Sequence, residues 1–194
     1  MKTIKQFIIP GFLLLTSFTA LGQGTASNNK FTLEPVYGVE TRLVRFPEPS
    51  KYVTSAAYGL RALYGSTLLS GEAEYTTSHS RKDYPSQDQV VTDTVNRFSL
   101  GARSTFPFGK SVAFYLRGGV SATTGKTEVK TSSTGISDSS NNPLRIDPFG
   151  GTGLQFAFTQ NMAINANVTI IRNAENKYDA QYSLGLSAKF GNFY

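Results

Sequence analysis

Few residues of this chain could act as a nucleophile, a metal ligand or a phosphate-binding loop. The 194 residues include one histidine, His79, which precedes Ser80, and no cysteine. A serine hydrolase uses these residue types together with an acid, but adjacent residues of a strand point to opposite faces, so His79 and Ser80 do not by themselves form a catalytic pair. One histidine without cysteine leaves only carboxylates as further metal ligands. We therefore expect no catalytic residue, no metal and no cofactor.

Two glycine-containing segments have the composition of a phosphate site but lack its context. Gly125-Lys126-Thr127 matches the end of a P-loop, which also needs a glycine where Val120 stands and a helix directly afterwards. The Gly-Gly-Thr-Gly segment at 150–153 is likewise not followed by a helical pattern. In a strand, such glycines leave space for a bulky side chain nearby.

Charged residues form a third group, and their spacing indicates ion pairing rather than catalysis. Six cations and five anions fall on one side of segments in which apolar and polar residues alternate. Opposite charges that are buried together hold each other, because removing one leaves the other without a partner. The predicted ion-pair network consists of Glu34, Glu40, Arg42, Arg61, Glu72, Glu74, Asp93, Arg97, Arg103, Arg117 and Lys189.

The segments that carry these charges alternate with the two-residue period that is typical of β-strands, and no apolar stripe with helical spacing follows residue 30. Tight polar or glycine-containing turns at 64–67, 107–110 and 159–161 alternate with longer connections at 46–51, 80–92 and 125–147. Short turns on one side and long loops on the other predict an up-and-down meander. Its eight strands are expected at 31–44, 52–64, 68–79, 93–106, 111–124, 148–158, 162–172 and 178–190.

One face of every predicted strand is free of charge. Across the eight faces there is no Asp, Glu, Lys or Arg, although these residues make up 16% of the chain. A soluble sandwich or calyx would have its charges on the outside. Apolar side chains outside and charges inside are typical of a barrel in lipid, which must close because hydrocarbon offers no partner for backbone amides. The pattern therefore predicts an all-β fold, an eight-stranded antiparallel up-and-down transmembrane β-barrel.

Aromatic residues lie near the ends of these strands, where the membrane interfaces are expected. Tyrosine and phenylalanine rings are enriched at the headgroup level, so they predict two aromatic rims. The short-turn rim comprises Phe31, Tyr64, Phe106, Phe108, Phe158, Phe190, Phe193 and Tyr194, and the long-loop rim comprises Phe46, Tyr52, Tyr75, Phe149 and Tyr178.

The amino-terminal residues have the layout of an export signal. Lys2 and Lys5 precede an apolar run at 7–15, and the small-residue sequence Ala20-Leu21-Gly22 follows. An exported protein does not meet nucleic acid, so the net charge of +6 does not indicate a nucleic-acid partner. The expected organisation is a signal peptide at 1–22, a short amino-terminal segment at 23–30 and the barrel at 31–194.

Together, the signal peptide, the eight strands and the terminal aromatic residues make the chain resemble the small outer-membrane barrels of the OmpA and OmpX type. The segment 182–190 looks like the carboxy-terminal assembly signal of that class, with a glycine, alternating apolar residues and an aromatic end. The residues of this signal are Tyr182, Gly185, Leu186, Ala188 and Phe190, with Tyr194 as an alternative terminal aromatic.

The resemblance implies a non-catalytic role in the outer membrane of a Gram-negative bacterium. We expect outer-membrane lipids and, during biogenesis, the barrel assembly machinery as partners, and a surface ligand could bind the loops 80–92 and 125–147. The favoured function is structural or surface-interacting, with a lumen filled by charged side chains. The alternatives are a narrow channel for small or hydrophobic solutes of the OmpW kind and, third, a lipid A-modifying enzyme.

Overall fold

The alternation of apolar and polar residues produces eight long β-strands. The computed structural model describes residues 30–44, 51–66, 68–172 and 177–192. The predicted signal peptide and almost all of the segment 23–30 lie outside these residues. The strands are β1 (Lys30–Val44), β2 (Lys51–Gly65), β3 (Leu69–Tyr84), β4 (Gln89–Pro107), β5 (Val112–Thr131), β6 (Ser137–Ala157), β7 (Met162–Arg172) and β8 (Tyr178–Asn192). No helix in the described ranges is long and apolar enough to cross a membrane.

The strands close into a ring. Each strand pairs antiparallel with the next one along the chain, and β8 pairs with β1. Following paired residues once around the ring from Gln155 leads back to β6 at Arg145, so the register is staggered by ten residues. For eight strands this stagger corresponds to a tilt of about 41°, at ~3.3 Å per residue and ~4.7 Å between strands. The predicted up-and-down barrel is confirmed.

The two faces of the wall have the predicted polarity. Apolar residues in the middle of the strands point outward, and Tyr37, Tyr58 and Leu184 are each more than half exposed. Charged residues point into the barrel, where Glu34 and Arg61 have no exposed surface. Because lipid tails offer no hydrogen-bond partners, this inverted arrangement suits a bilayer and not water.

The aromatic rims are placed largely as expected. Tyr64, Phe106 and Phe158 are exposed near the short-turn end, and Tyr52 and Tyr178 are exposed at the opposite end. Phe46, Phe193 and Tyr194 lie outside the described residues. The prediction for Phe149 is wrong, since this ring is 7% exposed. Phe149 has the inward parity of its strand, and the ring packs in the lumen below an arginine.

Two of the predicted long loops are strands for most of their length. Residues 80–84 extend β3 and residues 89–92 begin β4, so only a short turn with one 3-10 segment at Pro85–Gln87 separates them. Likewise, residues 125–131 extend β5 and residues 137–147 begin β6. Polar composition suggested loops, but alternating Thr and Val residues favour paired strands even in water. The loop predictions at 80–92 and 125–147 are therefore wrong in conformation.

The lengthened strands form a four-stranded sheet above the rest of the barrel, which we call the extension. It consists of residues 80–84 of β3, 89–94 of β4, 125–131 of β5 and 137–142 of β6. β5 has 20 residues and β7 has 11. At the tilt given above they rise about 50 and 27 Å, so the extension stands roughly 20 Å above the β7 side of the wall.

A charge in the centre of the lipid-facing surface should destabilise the barrel. Leu184 lies in the middle of β8 and is 60% exposed on the outer face. We expect Leu184→Lys to lower the free energy of unfolding in lipid vesicles by about 2–4 kcal/mol, the cost of lysine near the bilayer midplane. Thr124→Lys, on the outer face close to the extension, is the matched control and should change it by less than about 1 kcal/mol. Equal effects at both positions would contradict the assignment of the membrane band.

Candidate functional site: the charged lumen

The register of the strands brings opposite charges side by side inside the barrel. Glu34 of β1 is paired in the ladder with Arg61 of β2, and Arg61 is paired with Glu74 of β3. On the other side of the ring, Arg103 of β4 is paired with Arg117 of β5. Because all five residues have inward parity, two neighbouring arginines face a row of carboxylates across a narrow lumen.

Arg61 is the centre of this arrangement. Its Nη1 donates a hydrogen bond to Glu34 Oε1 at 2.5 Å, and its Nε donates to Glu74 Oε2 at 2.6 Å. Glu72 Oε1 lies 3.8 Å from the same Nε. The side chain of Arg61 is completely buried, so all of these contacts operate away from water.

Two further arginines complete the charge balance. Arg117 donates to Glu74 at 2.8 Å and also contacts Glu72, while Arg103 Nη1 lies 3.4 Å from Glu34 Oε2. We call the six residues the central cluster. It contains three carboxylates and three guanidinium groups, so it is neutral as a set, although any one member alone would be a costly buried charge. Its members are Glu34, Arg61, Glu72, Glu74, Arg103 and Arg117.

Uncharged side chains from β5 to β7 fill the rest of this cross-section. Asn165 donates to Glu34 at 2.9 Å and accepts from Arg103 at 3.4 Å. The guanidinium carbon of Arg103 lies 3.5 Å from the centre of the Tyr115 ring, and that of Arg117 lies 5.1 Å from the centre of the Phe149 ring. These cation–π contacts and amide hydrogen bonds extend the central cluster across the lumen.

Glycines on neighbouring strands provide the space for two of these side chains. A Cβ atom on Gly185 would lie 2.4 Å from Glu34 Oε1, and one on Gly153 would lie 2.4 Å from the Tyr115 ring. The carboxylate and the ring therefore rest against bare backbone. The expectation that the Gly150–Gly153 segment makes room for a bulky neighbour is confirmed at Gly153.

A second group of charges lies nearer the extension, and we call it the mouth cluster. Arg42 pairs with Asp93 at 3.3 Å, and Arg97 donates to Glu40 at 2.6 Å. Arg145 contacts Asp147 and lies 3.4 Å from Asp179. The mouth cluster thus contains three arginines and four carboxylates, one more acid than base. Its members are Glu40, Arg42, Asp93, Arg97, Arg145, Asp147 and Asp179.

Three members of the mouth cluster are absent from the predicted network. Arg145 and Asp147 fall in the predicted loop at 125–147, and Asp179 falls at the start of the predicted strand 178–190 but not in the predicted network. Asp147 and Asp179 are only 3% and 4% exposed. The signal was present in the alternation: Asp147 continues the inward parity of Phe149, and Asp179 continues that of Gln181. Asp147 was missed because the predicted strand began at residue 148, and Asp179 was missed because it stands at the very start of its predicted strand.

Lys189 is the member of the predicted network that the structure does not bring into either cluster. It points inward at the short-turn end and lines a small cavity of about 50 Å³ together with Lys30, Ser70 and Gln155. No ion pair joins Lys189 to a residue in the described ranges. Its neighbourhood is therefore basic and open to the end of the barrel.

The residues of the predicted assembly signal lie on β8. Tyr182, Leu186 and Phe190 are 50%, 43% and 46% exposed on the outer face. Ala188 has the same outward parity, whereas Gly185 faces the lumen beneath Glu34. Tyr194 lies outside the described residues.

The candidate enzyme residues are not arranged as a catalytic group. His79 points outward, and its Nδ1 lies 3.1 Å from the hydroxyl of Thr94, whereas Ser80 is buried on the inner face. Within the described ranges no three His, Asp or Glu side chains are grouped to hold a metal ion.

On the exposed extension, a hydrogen bond from Lys126 holds the pKa of Glu128 below its usual value.

Comparison with known proteins gives the family. Residues 11–190 match the model of the outer membrane protein beta-barrel domain. The chain belongs to this family. The resemblance to small outer-membrane barrels is confirmed, and the protein is located in the bacterial outer membrane with its apolar face in lipid. No curated protein matches the sequence.

Solved structures show the same fold at low sequence identity. Neisserial surface protein A has a TM-score of 0.63 and 15% identity, and Ail, the attachment invasion locus protein of Yersinia pestis, has 0.57 and 16%. Each match covers 84% of this chain and 99% of the other. OprG of Pseudomonas aeruginosa has a TM-score of 0.56 and 10% identity, covering 86% of this chain and 98% of that one. Small outer-membrane barrels with different sequences thus share this architecture.

Removing Arg61 should destabilise the barrel far more than removing Lys189. Arg61→Met leaves three buried carboxylates without their shared partner, so we expect the free energy of unfolding to fall by about 3–5 kcal/mol. Lys189→Met is the control, because it removes an inward cation that has no described ion pair. Urea unfolding in lipid vesicles measures both changes. Similar losses for the two variants would show that the central cluster does not stabilise the fold as a unit.

Proposed function

We propose that the protein is a non-catalytic surface-interaction barrel, which binds a partner outside the cell through the extension. The observation that carries this proposal is the height of the extension, roughly 20 Å above the β7 side of the wall. The lipid-facing surface needs no strands beyond the bilayer. A paired, rigid sheet in water is therefore an addition to the membrane anchor, and surface loops and hairpins on rigid scaffolds commonly carry binding.

The β6 side of the extension is suited to binding another polypeptide. Residues 137–142 pair with β5, and no strand in the described ranges pairs with their other edge, because the β6–β7 ladder begins at Phe149. The six side chains are Ser, Asp, Ser, Ser, Asn and Asn. A free edge of small polar residues can accept an extended segment through backbone hydrogen bonds, with little steric hindrance.

Two features restrict this edge to a short segment. Pro143 has no backbone N–H, and the register of the β5–β6 ladder shifts between Thr123 and Gly125, opposite this proline. Proline and irregular pairing are common protections of exposed strand edges. We propose that they confine docking to residues 137–142, away from the membrane surface.

The names of two structural neighbours are consistent with a surface role. One is called a surface protein and the other an attachment invasion locus protein, and Ail has also been crystallised with the heparin analogue sucrose octasulfate. At 15–17% identity these neighbours share the fold alone with this chain. The proposal therefore rests on the extension and not on their ligands.

The alternative function, a narrow channel, would require a continuous path through the lumen. We propose that the central cluster keeps the lumen closed, since its six charged side chains, with Tyr115 and Asn165, occupy the cross-section between the two end cavities. An eight-stranded barrel is only wide enough for its own side chains to fill.

Export and assembly are proposed to follow the route of other outer-membrane barrels. The segment 1–22 would direct export, and the barrel assembly machinery would recognise the outward residues Tyr182, Leu186 and Phe190 on β8. A modification of lipid A is not proposed, because the described partner of His79 is Thr94 and not an acid.

Conductance distinguishes the closed barrel from the channel. We expect the parent protein, purified from outer membranes, to be silent in planar bilayers. The double variant Arg61→Ala/Glu74→Ala leaves the net charge unchanged. It removes the middle of the central cluster and should produce stable openings. Arg145→Ala/Asp147→Ala, also charge-neutral but confined to the mouth cluster, is the control and should stay silent. Stable openings in the parent protein would favour the channel.

Trimming the extension should abolish partner binding without unfolding the barrel. Peptides that bind the parent protein in nanodiscs are first selected from a displayed library. We expect them not to bind a variant in which residues 128–139 are replaced by Asn-Gly. The matched control is Lys126→Gln/Glu128→Gln, which leaves the β6 edge intact. This variant should still bind the selected peptides. Heat-modifiable gel mobility checks that each barrel is closed. Peptides that bind the trimmed and parent proteins equally would contradict the proposed role of the extension.

A further inference from the structure

The lumen contains a second feature that the surface-interaction role does not use. Between the central cluster and the extension lies a cavity of about 450 Å³, lined by residues of the mouth cluster and by Val95, Pro143 and Leu144. This volume is in the range of small-molecule sites, which combine an apolar lining with a few polar groups. The cavity is nine times larger than the one at the short-turn end, which has about 50 Å³.

Two arginines in this cavity have unused hydrogen-bond donors. Arg42 is 8% exposed and Arg97 is 3% exposed. Neither Arg42 Nε nor Arg97 Nη1 has a hydrogen-bond partner in the described part of the chain, although each guanidinium also has one carboxylate nearby. Buried donors without partners are costly, so they favour a ligand that supplies an acceptor. A carboxylate or phosphate is the natural partner of a guanidinium group.

An anion alone is nevertheless a poor fit. The mouth cluster has four carboxylates for three arginines, so it repels a purely negative ligand. Asp93 and Asp179 line the same cavity and can accept further hydrogen bonds. A positively charged amine would be attracted to these two carboxylates. The cavity therefore offers one set of groups for an anion and a second set for an ammonium.

We propose that this cavity binds a small zwitterion, with its anionic group at Arg42 and Arg97, its ammonium at Asp93 and Asp179, and its apolar part against Val95. The same chemistry is found in a free amino acid or dipeptide and in a phosphoethanolamine headgroup. Of these residues only Asp93 belongs to the extension, at its base, so the site does not depend on the β6 edge at residues 137–142.

Binding of four small probes tests the proposed chemistry. Titration calorimetry of the purified protein in a nonionic detergent compares dialanine, glycerophosphoethanolamine, acetate and ethylammonium. We expect at least one zwitterion to bind roughly ten-fold or more tightly than acetate and ethylammonium, because only a zwitterion engages both sets of groups. Acetate binding as tightly as the zwitterions, or no binding of any probe, would overturn the proposal. Dialanine binding identifies a free solute, whereas binding of glycerophosphoethanolamine alone identifies the headgroup.

Two single variants test the two ends of the site separately. Arg42→Gln removes the guanidinium, and Asp179→Asn removes the negative charge with little change of shape. Each should weaken the preferred zwitterion roughly ten-fold or more. Lys126→Gln, on the outer face of the extension, should leave binding unchanged. Unchanged affinity in both cavity variants would overturn the assignment. The comparison of probes on the parent protein remains decisive if a variant fails to fold.

Discussion

The backbone of this protein must satisfy its hydrogen bonds in a medium that offers none. In hydrocarbon an unpaired amide is costly, so a sheet can cross the membrane only as a closed ring. The stagger of ten residues over eight strands follows from that closure, and it sets the tilt and the narrow diameter. The outer face can then carry no charge in the middle of the bilayer, and the charged side chains in the middle of the described strands are directed into the lumen.

The narrow lumen determines what those charges do. Arg61 sits among three carboxylates with no exposed surface, and such a position is tolerable only because the surrounding set is neutral. The same lack of space explains the glycines. Glu34 and Tyr115 extend across the lumen because Gly185 and Gly153 leave room for them. The narrow lumen therefore requires both that the buried charges balance and that large side chains lie opposite glycines.

Above the membrane this constraint is released on one side. β5 and β6 continue as a hairpin in water, and their side chains there are mostly Ser, Thr, Asn, Lys and Glu. The register shift opposite Pro143 lies where the wall leaves the barrel and becomes the extension. The large cavity lies at the same level, where strands no longer bring opposite charges into strict register. The β6 edge of the extension and the large cavity thus both lie at the end of the barrel beyond the lipid-facing band.

The sequence by itself determined the class of fold, since a two-residue period with a charge-free face has one physical solution, a barrel in lipid. It also determined the inward position of Glu34, Arg61 and Arg117, because parity assigns each residue to a face. It did not determine which charges pair, because Arg103 and Glu34 lie on neither the same strand nor adjacent ones. The extent of the extension was hidden as well, because polar strands in water have the composition of loops. Asp147 was misplaced for a related reason, since the start of β6 depends on pairing with β5 and not on local composition. Only the closed ring brings distant strands within contact distance. It therefore decided the central cluster, the mouth cluster and the cavity between the central cluster and the extension.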